Sequence, residues 1–471
     1  MSSLRRYWYR AKKMTAGTGM AQLKTLDTTY LKAQDPHQHA SLAIAAVAIV
    51  DGAVPDFDLL KILLAERIQS IPRCTQLLRT HPADTAQEWI DYPGFNLTQH
   101  LHRVAIPRPG DDAGLFRAVA HALERPLELD RPLWECWVIE GLKGNRWAIL
   151  MKIHHCLAEG TSAAQILTRL CDDANTDTFA THTGTKQVSS PTRKPSWSGA
   201  LWRFSEVAGT LSGAVWPAAW TPSIDPVATK RRYSTVRVPI DAVDSVCRKF
   251  GVTANDVALA AITEGFRKVL LSRGEQPRAD SLRTMVRADN RASAMLPYLP
   301  VEHDDPVQRL RTVHNRVEAG QNDQHQSGIL ESAINCLPLM LRGKAIALLT
   351  RLPQRGIVTL ATNAPGPRQQ LRVMGRRLER VLPIPPTALA LSTGVAVLSY
   401  GDELVFGITA GYDAAADIGQ LAAGIEREMA RLVALSQDSI LLFSKDHRRK
   451  RSSRAFPNRA QQVRASAPER A

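Results

Sequence analysis

The amino-acid sequence predicts a mixed α/β protein with two domains, and three observations support that prediction. Residues 147–170 run from an apolar stretch of strand length, through a short polar turn, into a helical pattern of apolar residues. A second series begins further along, where 233–238 predicts a strand and 240–250 and 257–272 predict helices. A chain of 471 residues is too long for one hydrophobic core. We therefore assign the two series to separate domains.

The first series also contains a hairpin. Strand patterns cover 40–50, 87–92 and 133–142, and helical patterns cover 56–70 and 112–123. Lys143, Gly144 and Asn145 form a hairpin-type turn directly after the third strand pattern. Because such a turn joins antiparallel neighbours, residues 134–141 are expected to pair with residues 147–155.

Composition divides the remainder of the chain. We expect a basic, disordered N-terminus at 1–19, a first domain at 20–178, a linker at 179–229, a second domain at 230–444, and a basic, disordered tail at 445–471. Nine tryptophan, phenylalanine, leucine and valine residues between Trp197 and Trp220 make part of the linker apolar. This segment is either a helix packed on the protein or a patch that rests on lipid.

The net charge of +15 is concentrated at the two ends of the chain. Residues 1–13 carry +5 and residues 445–471 carry +7. Such ends either aid solubility or contact an anionic surface such as lipid headgroups. No nucleic-acid-binding motif accompanies them, so nucleic acid is not expected as a partner.

Cysteine usage and hydropathy predict the cellular compartment. The six cysteines show no CxxC spacing, and there is neither an apolar N-terminal signal segment nor an apolar run of 18 residues. We expect free thiols and a cytoplasmic protein, with peripheral contact to a membrane or lipid-droplet surface as an additional expectation.

Two adjacent histidines end the apolar run at 147–153. His154 and His155 are followed by Glu159 and Gly160, just before the helical pattern. Neutral imidazole suits a general base near pH 7, and neighbouring strand residues point to opposite faces, so one histidine can act as base while the other packs behind the strand. A pair of ordinary surface histidines, a metal site and a Cys156 nucleophile are the alternatives that the residues leave open.

Two motifs resemble those of a known family in both sequence and spacing. The sequence H-H-C-L-A-E-G at 154–160 is similar to the HHxxxDG signature of CoA-dependent acyltransferases and peptide-synthetase condensation domains. Pro132, Leu133 and Trp134 resemble the PLW motif of the bacterial wax ester synthase/diacylglycerol acyltransferase family, at the same short distance before the histidines. Glu159 stands where that family has aspartate.

Later motifs continue the resemblance to about residue 440. Asn255 and Asp256 resemble the family's ND motif, although the same residues also suit the start of a helix. Asn363 opens an N-A-P-G-P signature. Residues 282–287 resemble the family's S-V-R strand, but the loop after Arg287 is shorter than in the family.

The resemblance implies a fold and a reaction. It implies two chloramphenicol-acetyltransferase-like sandwich domains with mixed sheets that meet at a central cleft. It also implies acyl transfer from an acyl-CoA substrate to diacylglycerol or a long-chain alcohol, with no bound cofactor or metal. In this scheme His155 is the proton acceptor, His154 supports it, Glu159 and Gly160 shape the loop, and Asn255, Asp256 and Asn363 line the substrate site.

Two other functions remain open at this point. The Glu159 departure and the short loop are compatible with a weak or inactive paralogue that binds lipid or CoA. A condensation-type transferase acting on carrier-protein thioesters is the second alternative.

Overall fold

The computed structural model describes thirteen stretches of the chain between residues 43 and 437. They are residues 43–80, 87–154, 157, 163–173, 231–279, 281–287, 294–295, 298–322, 357–364, 366–367, 369–385, 393–411 and 415–437. The predictions for both chain ends, the tryptophan-rich segment, His155, Cys156, Glu159 and Gly160 lie outside the described residues.

Strands and helices alternate along these stretches. The strands are β1 Ala43–Asp51, β2 Gln76–Thr80, β3 Gln87–Asp91, β4 Leu101–Ala105, β5 Trp134–Leu142, β6 Arg146–His154, β7 Arg231–Pro239, β8 Arg283–Arg287, β9 Ala294–Met295, β10 Ile357–Ala364, β11 Arg372–Val373, β12 Arg376–Ile384, β13 Thr393–Tyr400 and β14 Glu403–Gly411. The helices are α1 Phe57–Gln69, α2 Asp112–Glu124, α3 Ala163–Arg169, α4 Ile240–Phe250, α5 Ala254–Ser272, α6 Pro306–Asn322 and α7 Ala415–Gln437.

Two six-stranded mixed sheets organise the fold. The first has the order β11-β12-β1-β6-β5-β4 and the second the order β7-β14-β13-β10-β8-β9, while β2 and β3 form a separate ribbon. Within the first sheet β4 and β5 are parallel and the other neighbours antiparallel. The predicted β5–β6 hairpin is confirmed, with Trp134 opposite Ile153. Its turn places Gly144 and Asn145 at φ 82° and 55°, the left-handed region that Gly-Asn turns provide.

Both faces of the first sheet are buried. Trp147, Ile149, Met151 and Ile153 point into one core, which includes α1 and α3. Ala148 and Leu150 point to the other side, into a second core that includes residues of α2, β7 and β14. Burial on both faces explains why β6 reads as a continuous apolar run rather than as an alternating one.

Sheet membership crosses the predicted domain limits. The segment Arg372–Ile384 lies late in the sequence, but β12 pairs antiparallel with β1 and so extends the first sheet. Tyr233 of the second sheet donates a hydrogen bond from its hydroxyl to Pro383 O at 2.9 Å. The limits proposed at 178 and 230 stay predictions.

Candidate active site

The histidine strand ends inside the protein. His154 is the last residue of β6, has 0% exposed surface, and lies opposite Ala43 of β1. Its backbone N–H donates to Leu133 O at 2.9 Å. The next residue in the chain, His155, is outside the described part of the chain. The buried position of His154 is compatible with the supporting role predicted for it, and the roles of His155, Glu159 and Gly160 stay predictions.

The PLW motif lies directly beside this strand end. Leu133 and Trp134 are each 1% exposed. The indole Nε1–H of Trp134 donates to Cys74 O at 2.8 Å, which ties the start of β5 to the turn after α1. Since Leu133 O accepts from the backbone N–H of His154, the motif holds the last residue of β6. Sequence reasoning found the motif but not this function.

A small pocket opens next to the motif. Its volume is about 60 Å³, and its lining includes His100, His102, Arg131, Pro132 and Trp134. A space of this size holds only a few water molecules. It is therefore too small to be a channel for a fatty chain.

His100 was missed by sequence reasoning. Its ring stacks on Trp134, with centroids 4.5 Å apart and planes 17° apart. Nδ1 lies 2.8 Å from Trp134 O, and because a carbonyl only accepts, the imidazole donates this bond. Burial lowers the pKa of His100, which favours the neutral form of the ring. Nothing in the local sequence around His100 indicates this contact, since its partner lies 34 residues away.

Lys152 is the polar residue of the apolar run, and it is fully buried. Its ammonium donates to Ala122 O at 2.9 Å and to Arg125 O at 2.5 Å, and it lies 3.2 Å from Glu135 Oε2. Burial lowers the pKa of Lys152, against the raising effect of Glu135. The ammonium thereby joins the carboxyl end of α2, where carbonyls lack helical partners, to the histidine strand.

The ND residues begin α5. Asp256 is 2% exposed, and its carboxylate accepts from the backbone N–H and the hydroxyl of Thr253, at 3.0 and 2.9 Å. The backbone N–H of Asp256 in turn donates to the Thr253 hydroxyl at 3.2 Å. This reciprocal pair confirms the helix-start interpretation. His314 of α6 adds a contact from Nδ1 to the carboxylate at 2.9 Å. Asn255 is half-buried on the same turn, and its substrate-binding role stays a prediction.

Asn363 lies near the end of β10, opposite Val397 in the parallel pair with β13. The glycine that follows in the signature has a steric explanation. A Cβ at Gly366 would overlap the carbonyl oxygen of Ser399, while the backbone N–H of Gly366 donates to the Ser399 hydroxyl at 3.1 Å. The substrate-binding role of Asn363 stays a prediction.

The described residues were also compared with what a metal site, a reactive cysteine and a membrane-spanning helix require. Those residues contain no group of three His, Cys, Asp or Glu side chains that could hold a metal ion. Four cysteines there are free, and burial raises the pKa of Cys74, Cys136 and Cys171 to about 12. Within the same residues, no helix has both the length and the apolarity needed to span a bilayer.

Comparison with known proteins identifies the family. Residues 23–258 match the model of the wax ester synthase/diacylglycerol acyltransferase catalytic domain, and residues 288–433 match the model of the C-terminal domain of the same family. The chain belongs to the wax ester synthase/diacylglycerol acyltransferase family. The sequence-based prediction of an acyltransferase of this family is confirmed.

The similarity to one relative extends over almost the whole chain. A putative diacylglycerol O-acyltransferase of Mycobacterium tuberculosis is 63% identical over 455 residues, which cover 95% of this chain and 99% of the relative. The predicted signatures therefore belong to one continuous match rather than to isolated motifs.

Solved structures support the fold class. A wax ester synthase/diacylglycerol acyltransferase from Marinobacter aquaeolei VT8 matches with a TM-score of 0.63 at 20% identity, covering 88% of this chain and 100% of that one. A trichothecene 15-O-acetyltransferase from Fusarium sporotrichioides matches with a TM-score of 0.58 at 11% identity, covering 87% of this chain and 94% of that one. The predicted α/β fold of the acetyltransferase type is confirmed.

Proposed function

We propose that this enzyme transfers a long-chain acyl group from acyl-CoA to the hydroxyl of diacylglycerol, of a long-chain alcohol, or of both. The observation that carries the proposal is the 63% identity, over 95% of the chain, to a relative named as a diacylglycerol O-acyltransferase. The buried strand end at His154, directly before the predicted base, supports it.

His155 is the proposed general base. An alcohol is a weak nucleophile until its proton is being removed, and a positioned imidazole contributes about 10²- to 10⁴-fold to such a step. The hydroxyl oxygen attacks the thioester carbonyl, the tetrahedral intermediate collapses, and the C–S bond breaks. His155 then returns the proton to the departing thiolate. Backbone N–H groups near Gly160 and the Asn255 side chain are the proposed donors to the oxyanion.

No acyl-enzyme is required in this scheme. Proximity of thioester and hydroxyl replaces a covalent intermediate, because holding both reactants together removes most of the entropic cost of their encounter. Among the described cysteines, Cys74, Cys136 and Cys171 are buried with pKa values raised to about 12, which makes them poor nucleophiles.

The test measures release of free thiol from long-chain acyl-CoA, with and without diacylglycerol or hexadecanol, together with the lipid product. His155→Ala should abolish transfer while circular dichroism stays unchanged. His121→Ala, at an exposed position on α2, is the matched control and should keep wild-type turnover. Near-normal transfer by His155→Ala would overturn the base assignment.

The same assay separates the alternatives. A lipid- or CoA-binding paralogue would release no thiol above background with either acceptor, and Glu159→Asp would not change that. A condensation-type transferase would act on acyl groups carried by a carrier protein and ignore free acyl-CoA. Thiol release that depends on the lipid acceptor supports the proposal and excludes both.

Peripheral contact with a membrane or lipid-droplet surface is part of the proposal. It is supported by the basic ends of the chain and by the tryptophan-rich segment at 197–220. Flotation with anionic liposomes of a variant carrying serine at Trp197, Trp202, Trp216 and Trp220 tests it. Flotation equal to that of the wild-type protein would remove the role of this segment.

A further inference from the structure

The parallel pairing of β4 with β5 lacks one backbone hydrogen bond. Leu101 lies opposite Cys136, and the backbone N–H of Cys136 donates to His100 O at 2.8 Å. In a parallel ladder of this register, the preceding bond would run from the backbone N–H of His100 to Trp134 O. That N–H instead donates to Leu97 O at 2.9 Å, within the turn before β4. The ladder therefore leaves the carbonyl of Trp134 without its backbone donor.

The His100 side chain supplies the missing donor. Its Nδ1 lies 2.8 Å from Trp134 O, and the imidazole is 1% exposed and stacked on the indole of Trp134. The hydrogen bond is thus shielded from water, and a buried carbonyl without a donor is costly. The backbone N–H of His100 thus donates within the turn before β4, while its imidazole donates to the β4–β5 ladder.

The peptide unit on the other side of Trp134 holds the histidine strand. Leu133 O, the carbonyl of the preceding Leu133–Trp134 peptide, accepts from the backbone N–H of His154 at 2.9 Å. The Trp134 indole is tied to Cys74 O at 2.8 Å, so the residue cannot turn without breaking that contact. β5 therefore touches β6 at one side of Trp134 and the His100 imidazole at the other.

We propose that His100 is a positioning residue for acyl transfer. It fixes Trp134, and through the Leu133 carbonyl it fixes His154 and the end of the strand from which His155 follows. The catalytic part of this proposal rests on the function proposed above; the structural part does not. The PLW motif and His100 act as one unit in this scheme.

Two substitutions separate the hydrogen bond from the stacking. His100→Phe keeps an aromatic ring against Trp134 and removes the donor. His100→Asn places an amide N–H close to the position of Nδ1 and removes the ring. His102→Phe is the matched control, because His102 lies two residues further along, in β4, and its ring packs on Trp137 with centroids 4.4 Å apart.

Hydrogen exchange of the His154 amide tests the structural part without relying on activity. We expect exchange at His154 to be about tenfold faster in His100→Phe, which corresponds to about 1.4 kcal/mol, and within threefold of wild type in His100→Asn and His102→Phe. The amide of Ile149, in the middle of β6, should be unchanged in all three. Unchanged exchange at His154 in His100→Phe, or equal acceleration at Ile149, would overturn the proposal.

Steady-state kinetics test the catalytic part. We expect kcat of His100→Phe to fall about tenfold with KM for acyl-CoA within twofold of wild type, and the asparagine variant to recover kcat to within threefold. A loss of activity that only follows the folded fraction would mean that His100 serves stability alone. If wild-type protein transfers no acyl group, the proposed function fails, while the exchange result still decides whether His100 positions His154.

Discussion

Arg309 offers the sharpest test of how the second half of the protein is held together. Its guanidinium is 0% exposed and lies between two buried carboxylates, Glu264 of α5 at 2.5 Å and Glu428 of α7 in a short contact. It also donates to His303 O at 2.8 Å. Arg309→Met keeps much of the volume and removes the charge. Breaking a buried ion pair from one side costs about 3–5 kcal/mol, because the remaining charge stays buried without its partner.

Neighbouring cations reduce the loss of stability that removal of Arg309 causes. Lys268 and Arg267 lie 3.7 and 3.9 Å from the Glu264 carboxylate, and Arg431 lies 3.9 Å from that of Glu428. These contacts are longer and nearer to solvent, so they offset only part of the loss. We expect Arg309→Met to lower the free energy of unfolding by about 4 kcal/mol at pH 7, measured by urea denaturation followed by circular dichroism.

The loss should depend on pH in a defined direction. Burial already raises the pKa of Glu428 above its ordinary value of 4.5, and Arg309 opposes that rise. Without Arg309 the folded-state pKa rises further, so the folded protein binds more protons than the unfolded chain. Stability of the variant should therefore fall, relative to wild type, as the pH increases from about 5 to 8.

Two further variants decide whether this reasoning is right. Arg311→Met, at an exposed position on the same helix, should change stability by less than about 1 kcal/mol, because exposed charged contacts contribute little. Adding Glu428→Gln to Arg309→Met should recover part of the loss and flatten the pH dependence. An Arg309→Met protein as stable as wild type at pH 8 would refute the argument.

The other predictions concern Lys152, Gly366 and Cys136. Lys152→Met should destabilise the protein by about 3 kcal/mol in urea denaturation, since it leaves two carbonyls and Glu135 without the ammonium, and adding Glu135→Gln should restore part of that. Gly366→Ala should lower the free energy of unfolding by about 2 kcal/mol or more, because the added Cβ overlaps Ser399 O. Gly419→Ala is the control: it lies on the exposed side of α7, where a Cβ meets nothing, and should be neutral or stabilising. Thermal melting measures both. Cys136 should resist alkylation at pH 8 in the folded protein and react after unfolding, as read by peptide mass mapping, because burial raises its pKa to about 12; rapid labelling of the native protein would contradict its burial.

Local patterns predicted the elements that position the site. The β5–β6 hairpin follows from two apolar strands separated by Gly144 and Asn145, and the observed pairing has the expected direction. Thr253 and Asp256 lie three residues apart and form the capping pair that their spacing favours. The apolar run before His154 correctly predicted a strand that leads to that residue, because composition and length are local properties.

Contacts distant in sequence were not predictable in this way. The indole of Trp134 and the imidazole of His100 meet because β4 and β5 pair in one particular register. β12 adds to the first sheet beside β1 although more than 300 residues separate them, so the predicted division into two successive domains did not foresee it. Leu59 and Ile62 are apolar residues of the helical pattern predicted at 56–70, yet they are 57% and 66% exposed. A helical period alone does not say which of two apolar rows packs on the sheet.

The sequence by itself determined the family, the β5–β6 hairpin with the apolar strand that leads to His154, and the capped start of α5, because each depends on residues that are neighbours in the chain. Only the tertiary structure decided that Leu133 holds His154, that His100 completes the ladder at Trp134, and that Lys152 and Arg309 are buried with their partners. Those arrangements follow from the need of buried backbone groups for hydrogen-bond partners and from the cost of burying charge, and both depend on which distant segments are brought together.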